Sequence, residues 1–549
     1  MKLLIVGGVA AGASAAARAR RLSEQAQIIL IERGPDVSFA NCGMPYYIGG
    51  EIQDRQKLKV VTPELLRTRF RLDVRTGTEV LTIDPQSKTL RLRDLATGTE
   101  TEETYDKLLL TPGASPLRPP IPGLDLPGIF TLRNLQDMDA IRAASERDVQ
   151  EAVVVGAGFI GLELVENFVK RGIRTTLVEL LDQVLPPLDK ELTTPILQEL
   201  KAHGVRVILG RSAQSFQATA KGLAVQLPDG EQLSAQLVVL GIGVRPENKL
   251  AVDAGLDVGP RGGIRVDATM RTSDPDIFAA GDVIETRCDV TGESTQMPLA
   301  GPANRQGRIA ADNIMGRASQ FRGVQGTAIV GVFNKTAAMT GQSEKSLRRI
   351  GLPYKKVYVH PSHHAGYYPG ATPMTLKVMF DPETGRILGA QGVGGDGVDK
   401  RIDVLAVAIQ AKLTVYDLEQ LELCYAPQYG SAKDPVNMVG FVAAGMLQGT
   451  HPQIDIDDIL TLPEADRPFL LDVRTPAEFA AGHIPNSINI PVDDLRNRLE
   501  ELPKNREIAA YCKVGQRGYI ATRILLQHGY PTKNLSGGYT TYTHKYPEE

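Results

Sequence analysis

Short apolar runs that end in glycine recur along the chain and divide it into elements. Lys2 to Val6 reads as a buried strand running into Gly7-Gly8-Val9-Ala10-Ala11-Gly12. Ala13 to Leu22 follows as an Ala-rich helix, and Gln27 to Ile31 as a second strand closed by Glu32. The same order returns at Glu151 to Val155, Gly156-Ala157-Gly158-Phe159-Ile160-Gly161, helix Leu162 to Arg171, strand Thr175 to Val178 and Glu179. Leu108 to Gly113 and Asp276 to Asp282 are further strands that end in glycine turns. From Thr327 to about Gly445 the pattern changes: strands such as Thr375 to Phe380 and Ile387 to Val393 accompany helices such as Val398 to Ala411. Gln448 to Asp455 contains Gly, Pro and polar residues and reads as a linker. Beyond it, strand Phe469 to Val473, helix Pro476 to Ala481, strand Glu507 to Tyr511 and helix Tyr519 to His528 form a last α/β unit.

Each strand–glycine turn–helix–strand unit is a dinucleotide-binding pattern. Backbone N–H groups at the helix start hold a pyrophosphate, and the acid about 20 residues on holds a ribose hydroxyl. The second copy carries all three glycines, Gly156, Gly158 and Gly161. In the first, Val9 stands where the second glycine of the strict frame belongs. Two copies imply two dinucleotides. Glu179 would repel a 2′-phosphate, so NADH is favoured over NADPH, a preference that rests on this acid alone.

Length and composition narrow the class. With 549 residues, 42% hydrophobic and 23% charged, the chain needs several cores and suits a globular protein. A net charge of -3 gives no general attraction to nucleic acid or membrane. No apolar run is long enough to span a bilayer and no signal-peptide core is present, so a cytoplasmic location is expected. The four cysteines, Cys42, Cys288, Cys424 and Cys512, form no C-x-x-C pair, so neither a zinc site nor a disulfide framework is expected.

Two of these cysteines sit in unusual surroundings. Cys42 lies in Ser38-Phe39-Ala40-Asn41-Cys42-Gly43-Met44-Pro45-Tyr46-Tyr47, where Gly43 and Pro45 argue for a loop entering a short helix. A thiol at such a start is expected to lean towards thiolate. Ser14, Arg18 and Arg21 share one face of the first helix, and two arginines on one face can hold phosphates. Cys512 ends a strand, and the loop Cys512 to Gly518 opens a helix; its N–H groups form a nest for an anion, with Arg517 adding positive charge. Cys288 and Cys424 receive no role.

The residues around Cys42 resemble the coenzyme A-disulfide reductases, over residues 1–445, and the loop around Cys512 resembles the rhodanese domain. So do Asp472-Val473-Arg474-Thr475-Pro476 and Gly482-His483-Ile484-Pro485. Together the chain resembles the fused coenzyme A-disulfide/persulfide reductases, within the FAD-dependent pyridine nucleotide-disulfide oxidoreductases. The resemblance implies an α/β protein with two Rossmann-like dinucleotide-binding domains (FAD and NAD), an α+β dimerisation domain and a C-terminal α/β rhodanese-like domain. The expected bounds are 1–118 and 246–322 for the FAD domain and 119–245 for the NAD(P)H domain. The dimerisation domain spans 323–447, the linker 448–455 and the rhodanese-like domain 456–549. It implies FAD held by Gly7, Gly8, Ala10, Gly12, Glu32, Arg33, Gly113, Ala114, Gly281 and Asp282, and NADH by Gly156, Gly158, Gly161 and Glu179. Ser14, Arg18, Arg21, Ser38 and Asn41 match coenzyme A contacts, with Arg71, Asn304 and Lys433 as further contacts. Tyr367 and Tyr425 match tyrosines that act across a homodimer, and Cys512 matches the carrier of sulfane sulfur. Asp472, Arg474 and His483 read as fold-holding.

The chemistry that follows is reduction of a coenzyme A disulfide, persulfide or polysulfide. Cys42 has no partner cysteine close in sequence, so it either pairs with a substrate sulfur or cycles through sulfenic acid. The first route makes a mixed disulfide with coenzyme A. The second is that of single-cysteine NADH oxidases and peroxidases, which carry a histidine at the first turn where this chain has Ala10. A third alternative is a sulfurtransferase or sulfur-relay protein whose flavin part is regulatory.

Overall fold

The computed structural model describes residues 1–547. They divide into two compact units, one made of Met1–Asp182 and Gly204–Val324, the other of Gln183–His203 and the chain from Gln325 onward.

The first unit contains two five-stranded sheets in which every pairing is parallel. One has the order Ile277–Ala279, Lys107–Leu110, Lys2–Val6, Gln27–Glu32, Asp73–Thr76. The other runs Arg206–Ile208, Arg174–Val178, Glu151–Val155, Leu237–Leu240, Ile129–Thr131. Parallel strands covered on both faces should be apolar throughout, and Leu3, Leu4, Ile5 and Ile28 to Ile31 are buried. The first helix spans Ala10–Leu22, so it starts within the glycine turn. Its partner in the second sheet spans Phe159–Lys170.

Glycine sets how closely these helices approach. Gly7 has φ 97 and Gly156 φ 104, conformations that glycine adopts without strain. A Cβ on Gly12 would collide with the Gly7 carbonyl, and one on Gly161 with the Gly156 carbonyl. Around Gly158, by contrast, a Cβ would meet nothing within 4 Å. The corresponding position of the first turn therefore accepts Val9, which explains the departure from the strict frame. Ala114–Pro116 and Val244–Pro246 pair antiparallel.

The second unit holds an antiparallel sheet and a parallel one. The antiparallel order is Ala328–Val332, Lys335–Gly341, Ile387–Gly394, Met374–Phe380, Lys355–Val359. Helices Val398–Gln410 and Pro435–Leu447 pack against it, and so does Lys190–Ala202, which is distant in sequence. The parallel order is Gln453–Ile454, Thr532–Leu535, Ile508–Tyr511, Phe469–Asp472, Ile488–Asn489. Of the stretch read as a linker, Gln448 to Thr450 are exposed, and the part from His451 onward is packed. Gln453 and Ile454 form the edge strand of this sheet, His451 is buried, and Asp455 caps helix Ile456–Thr461.

Candidate active site

Cys42 sits in a short 3-10 turn, Asn41–Gly43, that leads into helix Met44–Gly49, which ends at Gly50 with φ 90. Met44, Pro45 and Ile48 are buried and fix the helix, while Cys42 is exposed. Two helices of the same unit hold the segment. Arg142 donates to the Tyr47 carbonyl at 2.9 Å and lies over its ring. Tyr46 donates to Glu163 at 3.3 Å. Gly43 faces Leu58, and Gly49 faces Asn167, too closely for a Cβ. Ser38 takes φ 48, and its carbonyl accepts from Val60 and Val61.

The electrostatics differ from the expectation at Cys42. Although the residue is exposed, partial desolvation of its sulfur comes first in pushing the thiol up, followed by the neighbouring Glu163, and Asp282 adds to this; only the backbone hydrogen bond pulls the other way. A 3-10 turn before a six-residue helix supplies too little dipole to offset nearby carboxylates. Burial raises Glu163 to about 7 and Asp282 to about 6. Glu163 comes from the helix of the second glycine turn and Asp282 from the Gly281-Asp282 strand end. The Cys42 thiol thus lies within electrostatic reach of both dinucleotide units.

Both glycine turns fit a dinucleotide. Glu32 accepts from Gly8 N–H at 2.7 Å and Gly34 N–H at 2.8 Å; Glu179 accepts from Ala157 N–H at 2.7 Å and Leu181 N–H at 2.9 Å. Half-buried Asp282 takes no hydrogen bond from any described residue, so an acceptor is left for a ligand hydroxyl. Gly113 has φ 77, and its carbonyl accepts from Glu247 N–H. Gly281 packs on Ala11, beside the first turn at Ala10. Arg33 is exposed, within 3.9 Å of both Glu79 and Glu247.

The residues expected to contact coenzyme A are arranged less freely than their helix face suggested. Arg18 is paired with Asp312 at 2.6 Å, and Ser14 donates to Asn304 at 2.5 Å; only Arg21 stays exposed. Asn41 donates to the Arg133 carbonyl at 3.2 Å. Arg71 ends helix Pro63–Phe70 with φ 48; its carbonyl accepts from Arg20 and its side chain is exposed. Lys433 is an exposed residue of the second unit, next to Asp434, which caps helix Pro435–Leu447.

In the second unit Tyr367 and Tyr425 come together, their hydroxyls 3.1 Å apart, although they are 76% and 50% exposed. Their loops are tied by Arg401, a buried residue of helix Val398–Gln410. It donates to the His363 carbonyl at 2.8 Å and to Asp434 at 2.8 Å. Ala365 N–H donates to the Gly430 carbonyl. The hydrogen bond to Tyr425 raises the Tyr367 pKa.

Cys512 is buried at the end of strand Ile508–Tyr511, and the Gly515 N–H donates to its sulfur at 3.2 Å. Gly515 has φ 98 and caps helix Gln516–Gln527, which begins three residues before the predicted start. Arg517 reaches Cys512 but is bound bidentately by Glu478, at 2.8 and 2.7 Å, so most of its charge is already met. That pairing holds Glu478 down at about 2. Asp472 and Arg474 form a buried pair, and Arg474 also donates to the Gly482 carbonyl, the fold-holding role expected of them. His483 stacks on Phe479.

Glu163, beside Cys42, and Arg401, between the tyrosine loops, are neighbours that the sequence did not point to. Their partners are far away in the chain, and no local spacing marks them. Among the described residues, one group of carboxylates is spaced for a metal ion, namely Asp189, Glu191 and Glu344. The Lys377 ammonium stands within 2.8 Å of all three and fills the cation position.

Two glycine-turn units, each closed by an acid, flanking one exposed thiol define a dinucleotide-dependent oxidoreductase. The chain belongs to the pyridine nucleotide-disulphide oxidoreductase family, which it matches over residues 1–307, with that family's dimerisation domain over 327–434 and a rhodanese-like domain over 455–545. It is 36% identical over 444 residues to coenzyme A disulfide reductase of Staphylococcus aureus, covering 80% of this chain and 99% of that one. The crystal structure of reduced CoADR-RHD from Bacillus anthracis superposes with a TM-score of 0.96 at 47% identity, covering 100% of this chain and 98% of that one. An NAD-dependent persulfide reductase from A. fulgidus gives a TM-score of 0.92 at 37% identity, covering 99% and 100%.

Proposed function

We propose that the protein is a homodimeric, FAD-dependent NADH reductase of coenzyme A disulfide or coenzyme A persulfide, with a sulfur-carrying rhodanese domain. The observation that carries this reading is the exposed Cys42 thiol, in reach of Glu163 from one dinucleotide unit and Asp282 from the other. The names of the relatives point the same way: one reduces coenzyme A disulfide, another persulfide. FAD held by Gly7, Gly8, Ala10, Gly12, Glu32, Arg33, Gly113, Ala114, Gly281 and Asp282 supplies, when bound, a two-electron relay from NADH to sulfur. Gly156, Gly158, Gly161 and Glu179 hold the NADH.

Cys42 as thiolate attacks the sulfur–sulfur bond of the substrate. A bond forms between Cys42 and the coenzyme A sulfur, the substrate S–S bond breaks, and coenzyme A thiolate or hydrosulfide leaves with the electron pair. The Tyr367–Tyr425 pair is assigned the proton that neutralises the leaving sulfur. Two electrons then cleave the Cys42–coenzyme A disulfide and regenerate the thiolate. Ser14, Arg18, Arg21, Ser38, Asn41, Arg71, Asn304 and Lys433 are assigned to coenzyme A, with exposed Arg21, Arg71 and Lys433 the cations open to its phosphates. Cys512 carries sulfane sulfur between a donor, polysulfide included, and coenzyme A. A sulfur-transfer domain has no task in a plain disulfide cycle, so the fusion favours persulfide as substrate.

Mass spectrometry of the isolated protein tests this directly. The expected result is a coenzyme A adduct on Cys42 and an added sulfur on Cys512. Cys42→Ser should abolish persulfide reduction, whereas Cys512→Ser should spare reduction of coenzyme A disulfide. A Cys42→Ser enzyme that still reduces coenzyme A persulfide at the full rate would sink the assignment.

A further inference from the structure

The stretch 448–455 does more than join two domains. His451 is only 6% exposed. Its N–H donates to the Gly445 carbonyl at 2.9 Å, within helix Pro435–Leu447. Its ring lies 4.0 Å from that of Tyr519, on the helix that Gly515 begins. Its Nε2 stands 2.9 Å from Nδ2 of Asn534, itself 2% exposed on strand Thr532–Leu535. The same Nδ2 donates to the Gly515 carbonyl at 3.1 Å, and the Gly515 N–H donates to Cys512 Sγ at 3.2 Å.

The chemistry of this relay has one consistent assignment. Gly515 offers a carbonyl, so the end of the Asn534 side chain facing it must be the NH2 group. That group has two hydrogens, and the second goes to His451, whose Nε2 must therefore accept. The imidazole is then neutral with its proton on Nδ1. Burial, with Arg523 adding, holds His451 down at about 4, in keeping with this. The Asn534 Oδ1 is buried without a partner and faces Gly518, where a Cβ would not fit. The amide is thus held by its two hydrogens alone. The charged groups near the sulfur are Arg517 and its partner Glu478; near His451 it is Arg523.

We propose that His451 is a positioning residue for Cys512: through Asn534 it fixes the Gly515 peptide, and so the N–H that the Cys512 sulfur accepts. The segment entering the rhodanese-like domain is thereby part of its sulfur-binding loop. An N–H aimed at sulfur stabilises the thiolate, and the persulfide anion after it, over the neutral forms. The inference rests on reading Cys512 as the sulfur carrier.

The test uses the full-length flavin-loaded enzyme. His451→Phe keeps a ring against Tyr519 but removes the acceptor; His451→Gln restores one. The readouts are the pH profile of Cys512 alkylation by iodoacetamide, resolved by peptide mass spectrometry, and thiosulfate:cyanide sulfurtransferase kinetics. H451F should move the alkylation profile to higher pH. It should lower kcat about tenfold at unchanged KM, the size of one lost hydrogen bond to a charged acceptor. NADH-dependent reduction of coenzyme A disulfide should stay at the wild-type rate, and H451Q should recover most of the lost sulfurtransfer. A folded H451F with the wild-type alkylation profile overturns the proposal. Asn534→Ala breaks the relay at its middle and serves if H451F does not fold: a displaced profile supports the relay, a wild-type profile overturns it. Wild-type protein that gains no sulfur on Cys512 from thiosulfate refutes the carrier reading itself, a result distinct from equal sulfur gain in wild type and H451F.

Discussion

A carboxylate buried beside a thiol makes ionisation of both groups harder. Glu163 shows this in the first unit: burial lifts it to about 7, and its charge helps to push Cys42 up. Because its folded-state pKa is above the unfolded one, the folded state binds more protons. Its stabilising contribution is present below the unfolded value and is lost as pH rises through about 7. Glu163→Gln should therefore raise the thermal stability of the protein at pH 8, by up to ~3 kcal/mol, and leave it little changed at pH 4. Thermal unfolding at the two pH values checks this; equal effects at both would refute the burial argument. The same variant removes a negative charge facing the thiol, so Cys42 alkylation at pH 7 should speed up by roughly threefold, the size of a screened charge pair. Slower alkylation would mean that Glu163 acts on Cys42 as a base and not through its charge.

At the scale of elements, small residues decide where the helices cross. Helix Ala10–Leu22 lies against helix Ala300–Ile314, and Gly307 on the latter faces the Ala11 carbonyl so closely that a Cβ there would overlap it. Gly307→Ala should push the helices apart and displace the glycine turn between Gly7 and Gly12. The expected cost is about 2 kcal/mol in stability, with a lower flavin content read from visible absorbance. Unchanged flavin occupancy would show that the turn does not depend on this crossing. The tyrosine loops are a second case. Tyr367 and Tyr425 were legible as a motif match, but their meeting at 3.1 Å depends on Arg401, which bonds to both loops from a buried helix position.

At the scale of the whole molecule, the second unit is tied together by a buried charge cluster. Lys377, with no exposed surface, donates to Asp189 at 2.8 Å, Glu191 at 2.6 Å and Glu344 at 2.5 Å. Lys356 joins Glu344 to Asp455, and Lys545 joins Asp455 to Asp457. The cluster connects helix Lys190–Ala202, the antiparallel sheet and the rhodanese-like domain. Burial alone would raise these acids; the lysines more than offset it, holding Glu191 and Asp455 down at about 2. Depressed carboxylates stabilise above their unfolded pKa, and that contribution is lost as pH falls through the folded values near 2. Lys377→Met leaves three buried carboxylates without their central cation, and should cost ~3–5 kcal/mol at pH 7. The variant should then gain stability on acidification towards pH 5, where wild type does not. A melting curve for Lys377→Met that is flat between those pH values would count against the cluster.

Local rules made the two glycine turns, their closing acids and the surroundings of Cys42 and Cys512 readable from the chain alone. A glycine that must adopt positive φ, or an acid at the end of a strand, is set by covalent neighbours a few residues away. Even Val9 follows, once it is seen that the second glycine position is open to solvent or ligand. The tertiary structure decided what those rules do not reach. It paired Arg18 with Asp312 and Arg517 with Glu478, spending charges that the helix faces had left free. It set Glu163 against Cys42 and turned a thiol expected to ionise easily into one that resists. It made a polar stretch, through His451 and Asn534, into a support for the Cys512 loop. The physical reason is the same each time: ion pairing, desolvation and buried hydrogen bonds depend on which groups meet in space, and these groups come from segments far apart in the chain.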